Sequence, residues 1–229
     1  MADDREVKEL VPQVFAEVQT NGEIAVAKYN NLFDGANVET MRISQKQIEE
    51  AENELSGELR SAILLTEANI EKFNRSQQVE ERPVETMPGV TCWRKSVGID
   101  TVGLYIPGGS APLFSTVLML GIPARLAGCG RIVMCTPAGK GIDPAILFAA
   151  KVAGIEEVYG VGGIQAIAAM VFGTSVVPKV NKIFGPGNRY VTAAKQFAQL
   201  QGVAIDMPAG PSELMVVADD SCVSAFVAA

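Results

Sequence analysis

From residue 99 to residue 206, short apolar runs alternate with helix-length segments, and Gly, Pro, Asn or Asp punctuates most junctions. This alternation constrains the fold most. Residues 99–106, 131–136, 157–161, 180–184 and 203–206 read as strands. The intervening segments carry helix signals. Pro112 fits an N1 position, Asp143-Pro144 fits an N-cap followed by N1, and Gly154, Gly173 and Gly202 fit helix ends. Repeated strand–helix–strand units with short connections predict a parallel sheet covered on both faces. Ligands of such sheets sit beyond the carboxyl ends of the strands.

Three glycine–proline blocks fall at those strand ends: Ile106-Pro107-Gly108-Gly109-Ser110-Ala111-Pro112, Phe184-Gly185-Pro186-Gly187-Asn188, and residues 206–213, which end in Pro211-Ser212-Glu213. A strand-to-helix loop of this kind directs backbone N–H groups at a helix N-terminus, where anions bind. The bland reading is an ordinary turn with Asn188 as N-cap, and residue types alone leave both open. Tyr105 reads as either a core aromatic or a stacking wall. Ser212 reads as a turn residue, because no His exists to activate it as a nucleophile.

Two common nucleotide fingerprints fail. Gly160-Val161-Gly162-Gly163-Ile164-Gln165 carries Gln where the last Gly of G-x-G-x-x-G is needed. Ala138-Gly139-Lys140-Gly141 ends in Gly rather than Ser or Thr, which excludes a P-loop.

The first 78 residues read as mainly helical. Val7, Leu10, Val11, Val14 and Val18, with Phe15 beside them, trace a 3.6-residue stripe stopped at Asn21-Gly22. A second helix spans 23–33 and ends at Asp34-Gly35. Ser44 and Gln47 fit a capping box, and Leu59, Ala62, Ile63, Thr66, Ile70 and Phe73 trace a further face. Residues 79–90 read as an irregular connection and 90–94 as a strand. At the other end, 214–218 reads as a strand and 221–229 as the start of a helix.

The chain has 229 residues, 48% of them hydrophobic and 20% charged, with net charge −7. That composition is globular, and its acidity argues against nucleic acid or an anionic membrane as partner. No apolar run is long enough to span a membrane, and no secretory signal is expected. Cys92, Cys129, Cys135 and Cys222 form no C-x-x-C pair, so reduced, packed thiols are expected rather than a metal site.

The blocks, in this order, resemble the histidinol dehydrogenase family. The match is tight from Val102-Gly103-Leu104-Tyr105-Ile106-Pro107-Gly108-Gly109 to Ala209-Gly210-Pro211-Ser212-Glu213 and looser over the helical start. The resemblance implies an NAD-linked, zinc-dependent, four-electron oxidation of L-histidinol to L-histidine by a cytoplasmic homodimer. It implies that Tyr105, Gln165 and Asn188 contact NAD and that Ser212 contacts substrate. It also implies an α/β fold with a Rossmann-like parallel-sheet domain at 104–211, a helical segment at 1–22, and an incomplete second α/β domain from 23–103 plus 212–229. The family's zinc ligands include His, and its acid–base pair is Glu-His; this chain has no His, so no catalytic or metal residue carries over. A truncated, inactive chain that self-associates is therefore expected. The alternatives are a non-catalytic nucleotide-binding or dimerisation scaffold and, more weakly, an unrelated Rossmann-like regulator.

Overall fold

The chain opens with α1 (Ala2–Asn21), whose Val7, Val11, Val14, Phe15 and Val18 are all buried, as their spacing requires. The computed structural model describes residues 2–36, 41–79, 81–109, 111–139, 141–207, 219 and 221–223. Next comes α2 (Glu23–Tyr29), which widens into a π turn at Asn30–Asp34 and is closed by Gly35 at φ 63°. A π turn inserts one residue and re-aims the side chains that follow, often at functional sites. Here it turns Asn30 and Asp34 towards the sheet.

The capping box forms as expected. Ser44 Oγ accepts from Gln47 N at 3.3 Å, and Gln47 Oε1 accepts from Ser44 N at 3.0 Å. It opens α3 (Gln45–Glu50), which tightens into a 3₁₀ turn at Ala51–Glu54. In α4 (Gly57–Arg75) Ile63 is buried and Leu59 and Ile70 are half-buried. Ala62 and Phe73, expected on the same face, are exposed on a flank that no described residue covers.

A second correction concerns residues 79–90. They contain β1 (Val84–Met87), which pairs antiparallel with β2 (Val90–Cys92) around Pro88-Gly89. Every residue of both strands is exposed, so the period-2 alternation that would mark them is missing.

The remaining elements alternate as the sequence predicts: β3 (Thr101–Tyr105), α5 (Phe114–Leu126), β4 (Arg131–Cys135), α6 (Pro144–Ala153), β5 (Glu157–Tyr159), α7 (Gly163–Phe172), β6 (Lys182–Phe184), α8 (Arg189–Leu200) and β7 (Ala204–Ile205). Asp143 caps α6, accepting from Ala145 N at 2.8 Å, with Pro144 at N1. Pro112 does not open α5. The non-helical Leu113 (φ −90°, ψ 51°) intervenes and the helix starts at Phe114.

The five strands β3 to β7 form one parallel sheet in the order β5-β4-β3-β6-β7. The order reverses between β3 and β6, so the loops leaving these two strands diverge and leave a crevice. Alternate residues face opposite layers. Tyr105, Val133, Cys135, Tyr159 and Ile183 pack with residues of α1, α2, α7 and α8. Leu104, Met134 and Val158 pack with residues of α3, α4, α5 and α6. The N-terminal helices are thus part of the sheet's cover. The cysteines are all unpaired, but only Cys135 is a buried thiol. The strand expected at 214–218 and Ser212 lie outside the described residues, as does the helix at 221–229 except for 221–223.

Candidate functional site

The crevice between β3 and β6 holds a cavity of about 750 Å³. Its floor comes from strand ends: Tyr105 and Pro107 after β3, Pro137 after β4, Gly163 and Ile164 at the start of α7, and Pro186, Gly187 and Asn188 after β6. Gly108 and Leu113 beyond β3, Glu6 and Leu10 of α1, Phe33 and Asp34 of the π turn, and Tyr190 of α8 complete the wall. That size and that mixture of apolar wall and few polar groups suit a small-molecule ligand.

Close backbone approach shapes the cavity. At Gly185 φ is +131°, and a Cβ there would lie 2.1 Å from the Tyr105 carbonyl oxygen. At Gly162 a Cβ would lie 2.6 Å from Asp34 Oδ2. Only glycine lets these strand ends draw together.

The polar groups form one connected set. Asn30 Nδ2 donates to the Gly160 carbonyl at 2.8 Å, and Asn30 Oδ1 accepts from Gly162 N at 3.4 Å. Gln165 Nε2 donates to Asn30 Oδ1 at 3.2 Å and to Asp34 Oδ2 at 3.4 Å. Both partners are acceptors, which fixes the orientation of the Gln165 amide. Its Oε1 is then buried with no partner among the described residues. Tyr105 Oη accepts from Gly163 N at 3.0 Å, leaving its proton for a ligand acceptor. Asn188 Oδ1 caps α8, accepting from Tyr190 N and Val191 N at 3.1 Å each.

Burial shifts the titrating groups upward. Loss of hydration raises the Asp34 carboxyl above its ordinary value, against the pull of the Gly162 N–H. Burial pushes the Tyr105 phenol to about 12 and the Cys135 thiol to about 12. Both stay protonated near neutral pH. The described cavity lining contains Glu6 and Asp34 but no Lys or Arg.

Of the residues expected to contact NAD, Tyr105 and Asn188 line this one cavity, although 83 positions separate them. Gln165 stands behind the wall, fully buried and bonded to Asp34. Asp34 was missed in the sequence, where Asp34-Gly35 reads only as a helix stop. The π turn, which points the carboxylate inward, has no local sequence signal. Among the described residues no group of three or more His, Cys, Asp or Glu is placed to hold a metal ion. No described helix is long and apolar enough to cross a membrane.

The chain is similar to known proteins along its whole length. A family model described as histidinol dehydrogenase matches residues 1–229. Histidinol dehydrogenase of Bacteroides fragilis is 55% identical over 96% of this chain and 52% of its own length. That of Pectobacterium atrosepticum is 50% identical over 99% of this chain and 51% of its own. The crystal structure of histidinol dehydrogenase from Elizabethkingia anophelis superposes with a TM-score of 0.89 at 52% identity, covering 97% of this chain and 52% of that one. The chain thus spans about half the length of the curated relatives it matches, and it belongs to the histidinol dehydrogenase family.

Proposed function

We propose that this chain supplies the dinucleotide-binding part of an NAD-linked, zinc-dependent oxidation of L-histidinol to L-histidine. The observation that carries this reading is the cavity of about 750 Å³ at the carboxyl ends of the strands, where Tyr105, Gly163 and the Pro186-Gly187-Asn188 wall meet beside the reversal of strand order. The glycines at 162 and 185 let the strand ends that frame the cavity pack closely, and the unpartnered Gln165 Oε1 marks an unmet polar demand behind the wall. Tyr105 and Asn188 face the dinucleotide, and Gln165 acts from behind through Asp34. Bound NAD would supply the hydride acceptor. Tyr105 holds its proton at neutral pH and donates a hydrogen bond without acting as a base.

Ser212 is assigned to substrate, and the domain division into 1–22, 104–211 and 23–103 plus 212–229 is retained. Among the described residues no donor set makes a zinc site, and the His ligands that the family resemblance implies are absent from this sequence. The homodimeric and cytoplasmic state rests on the family resemblance. A non-catalytic dinucleotide-binding scaffold would share the cavity and differ only in turnover.

Titration calorimetry with NAD tests the reading. One molecule is expected to bind, and Tyr105→Ala and Asn188→Ala each weaken binding about tenfold, or ~1.4 kcal/mol. No binding at millimolar NAD, or variants that bind as the parent does, would overturn it.

A further inference from the structure

Lys195 occupies an apolar position of α8. Val191, Ala194 and Ala198 on the same helix are buried, and Lys195 is itself only 5% exposed. A buried ammonium needs a carboxylate and hydrogen bonds to offset its lost hydration. Its Nζ forms an ion pair with Asp206 Oδ1 and donates to the Gly185 carbonyl at 2.6 Å. Asp206 Oδ2 in turn accepts from Gly185 N at 2.9 Å. One ion pair therefore holds both polar groups of Gly185.

Gly185 has no side chain to fix its unusual backbone, and it leads directly into the Pro186-Gly187-Asn188 wall of the cavity. Asp206 follows β7 and opens the block that carries Ser212. The pair thus joins the loop after β6 to the start of that third block, without lining the cavity itself.

We propose that Lys195 and Asp206 are a positioning pair, which fixes the 185–188 loop in the shape the dinucleotide meets and so sets its affinity. The proposal rests on the dinucleotide reading above. A merely structural role predicts something different. Buried ion pairs are often replaceable by apolar residues of similar size with no loss of stability. A binding loop that loses its pre-organisation loses affinity even when the fold survives.

The test uses the 229-residue chain, with NAD as the calorimetric probe. Lys195→Met/Asp206→Leu removes both charges without stranding either one. It is expected to unfold cooperatively and to bind NAD at least about tenfold more weakly. Lys195→Arg, which keeps a cation and its donors, is expected to recover most of that affinity. Ile122→Val, a core change in the opposite layer, is expected to leave NAD affinity unchanged. Should that double variant not fold, Lys195→Met/Asp206→Asn reads the same effect, since the amide keeps an acceptor for the Gly185 N–H and no charge is left stranded. Parent-like binding by the double variant, equal weakening by Ile122→Val, or no recovery in Lys195→Arg would overturn the proposal alone. A parent chain that binds no NAD would overturn the dinucleotide reading, and this proposal with it.

Discussion

The Asp34 carboxyl is half-buried beside Tyr105 and Gln165, with no cation among the described residues of the cavity wall to neutralise it. Loss of hydration raises its pKa above the ordinary 3.8. The folded chain therefore binds this proton more tightly than the unfolded chain. The associated stability is fully present below the unfolded pKa and is lost as pH rises through the folded one. At neutral pH the ionised group costs stability, discounted because solvent screens its exposed part. Asp34→Asn removes that charge while keeping an acceptor for Gln165 and Gly162. Thermal melts should show it more stable than the parent at pH 7, by about 1 kcal/mol or less, with the difference vanishing near pH 3. NAD affinity should fall in the same variant if the carboxylate serves a ligand hydroxyl, the trade expected where a binding site stores strain. A melt in which Asp34→Asn is less stable at pH 7 than at pH 3, relative to the parent, would reverse the sign and refute the account.

At the scale of elements, α1 links stability to the site. Phe15 meets Phe172 of α7 edge-on at 5.8 Å and Phe197 of α8 at 4.9 Å, while Glu6 and Leu10 on the same helix form cavity wall. Phe15→Ala should cost about 3–5 kcal/mol in chemical denaturation, because a fully buried ring leaves a cavity in the core. It should also weaken NAD binding, since α1 holds that wall. Unchanged affinity in a clearly destabilised variant would show that α1 is cover only. The stripe on α1 was legible because Val7, Val11, Val14, Phe15 and Val18 are buried on one face, with Leu10 half-buried at its edge. The strands and helices from 99 to 206 were legible because Gly, Pro, Asn188 and Asp143 mark their ends chemically. The hairpin of β1 and β2 was not, since exposure on both faces erases alternation. Tyr105 and Asn188 drew notice by residue type and strand-end position, which left a core or capping role open, and their NAD role comes from the family resemblance. Lys195 offered a faint signal: a cation in register with Val191, Ala194 and Ala198. Its partnership with Asp206, and the turn of Asp34 into the cavity, depend on which strands become neighbours, and no local pattern encodes that.

For the molecule as a whole, binding and turnover should separate. The reaction proposed for the family needs a group that takes protons near neutral pH and a Lewis acid for the alcohol oxygen. The 229-residue sequence contains no His. The Tyr105 phenol at the cavity sits near 12 and keeps its proton, and the Cys135 thiol, also near 12, is wholly buried in the core away from the cavity lining. Asp34 Oδ2 accepts from Gln165, and no described cluster of side chains is placed to bind zinc. The 229-residue chain given NAD, zinc and L-histidinol should therefore produce no NADH above a blank, followed by absorbance at the reduced nicotinamide band. The same preparation should still bind NAD by calorimetry. Joint loss of binding and turnover would place the fault in the cavity. Turnover from material shown free of host enzyme would mean that this chain suffices for the chemistry, and would sink the division between a dinucleotide-holding part and a proton- and metal-handling part.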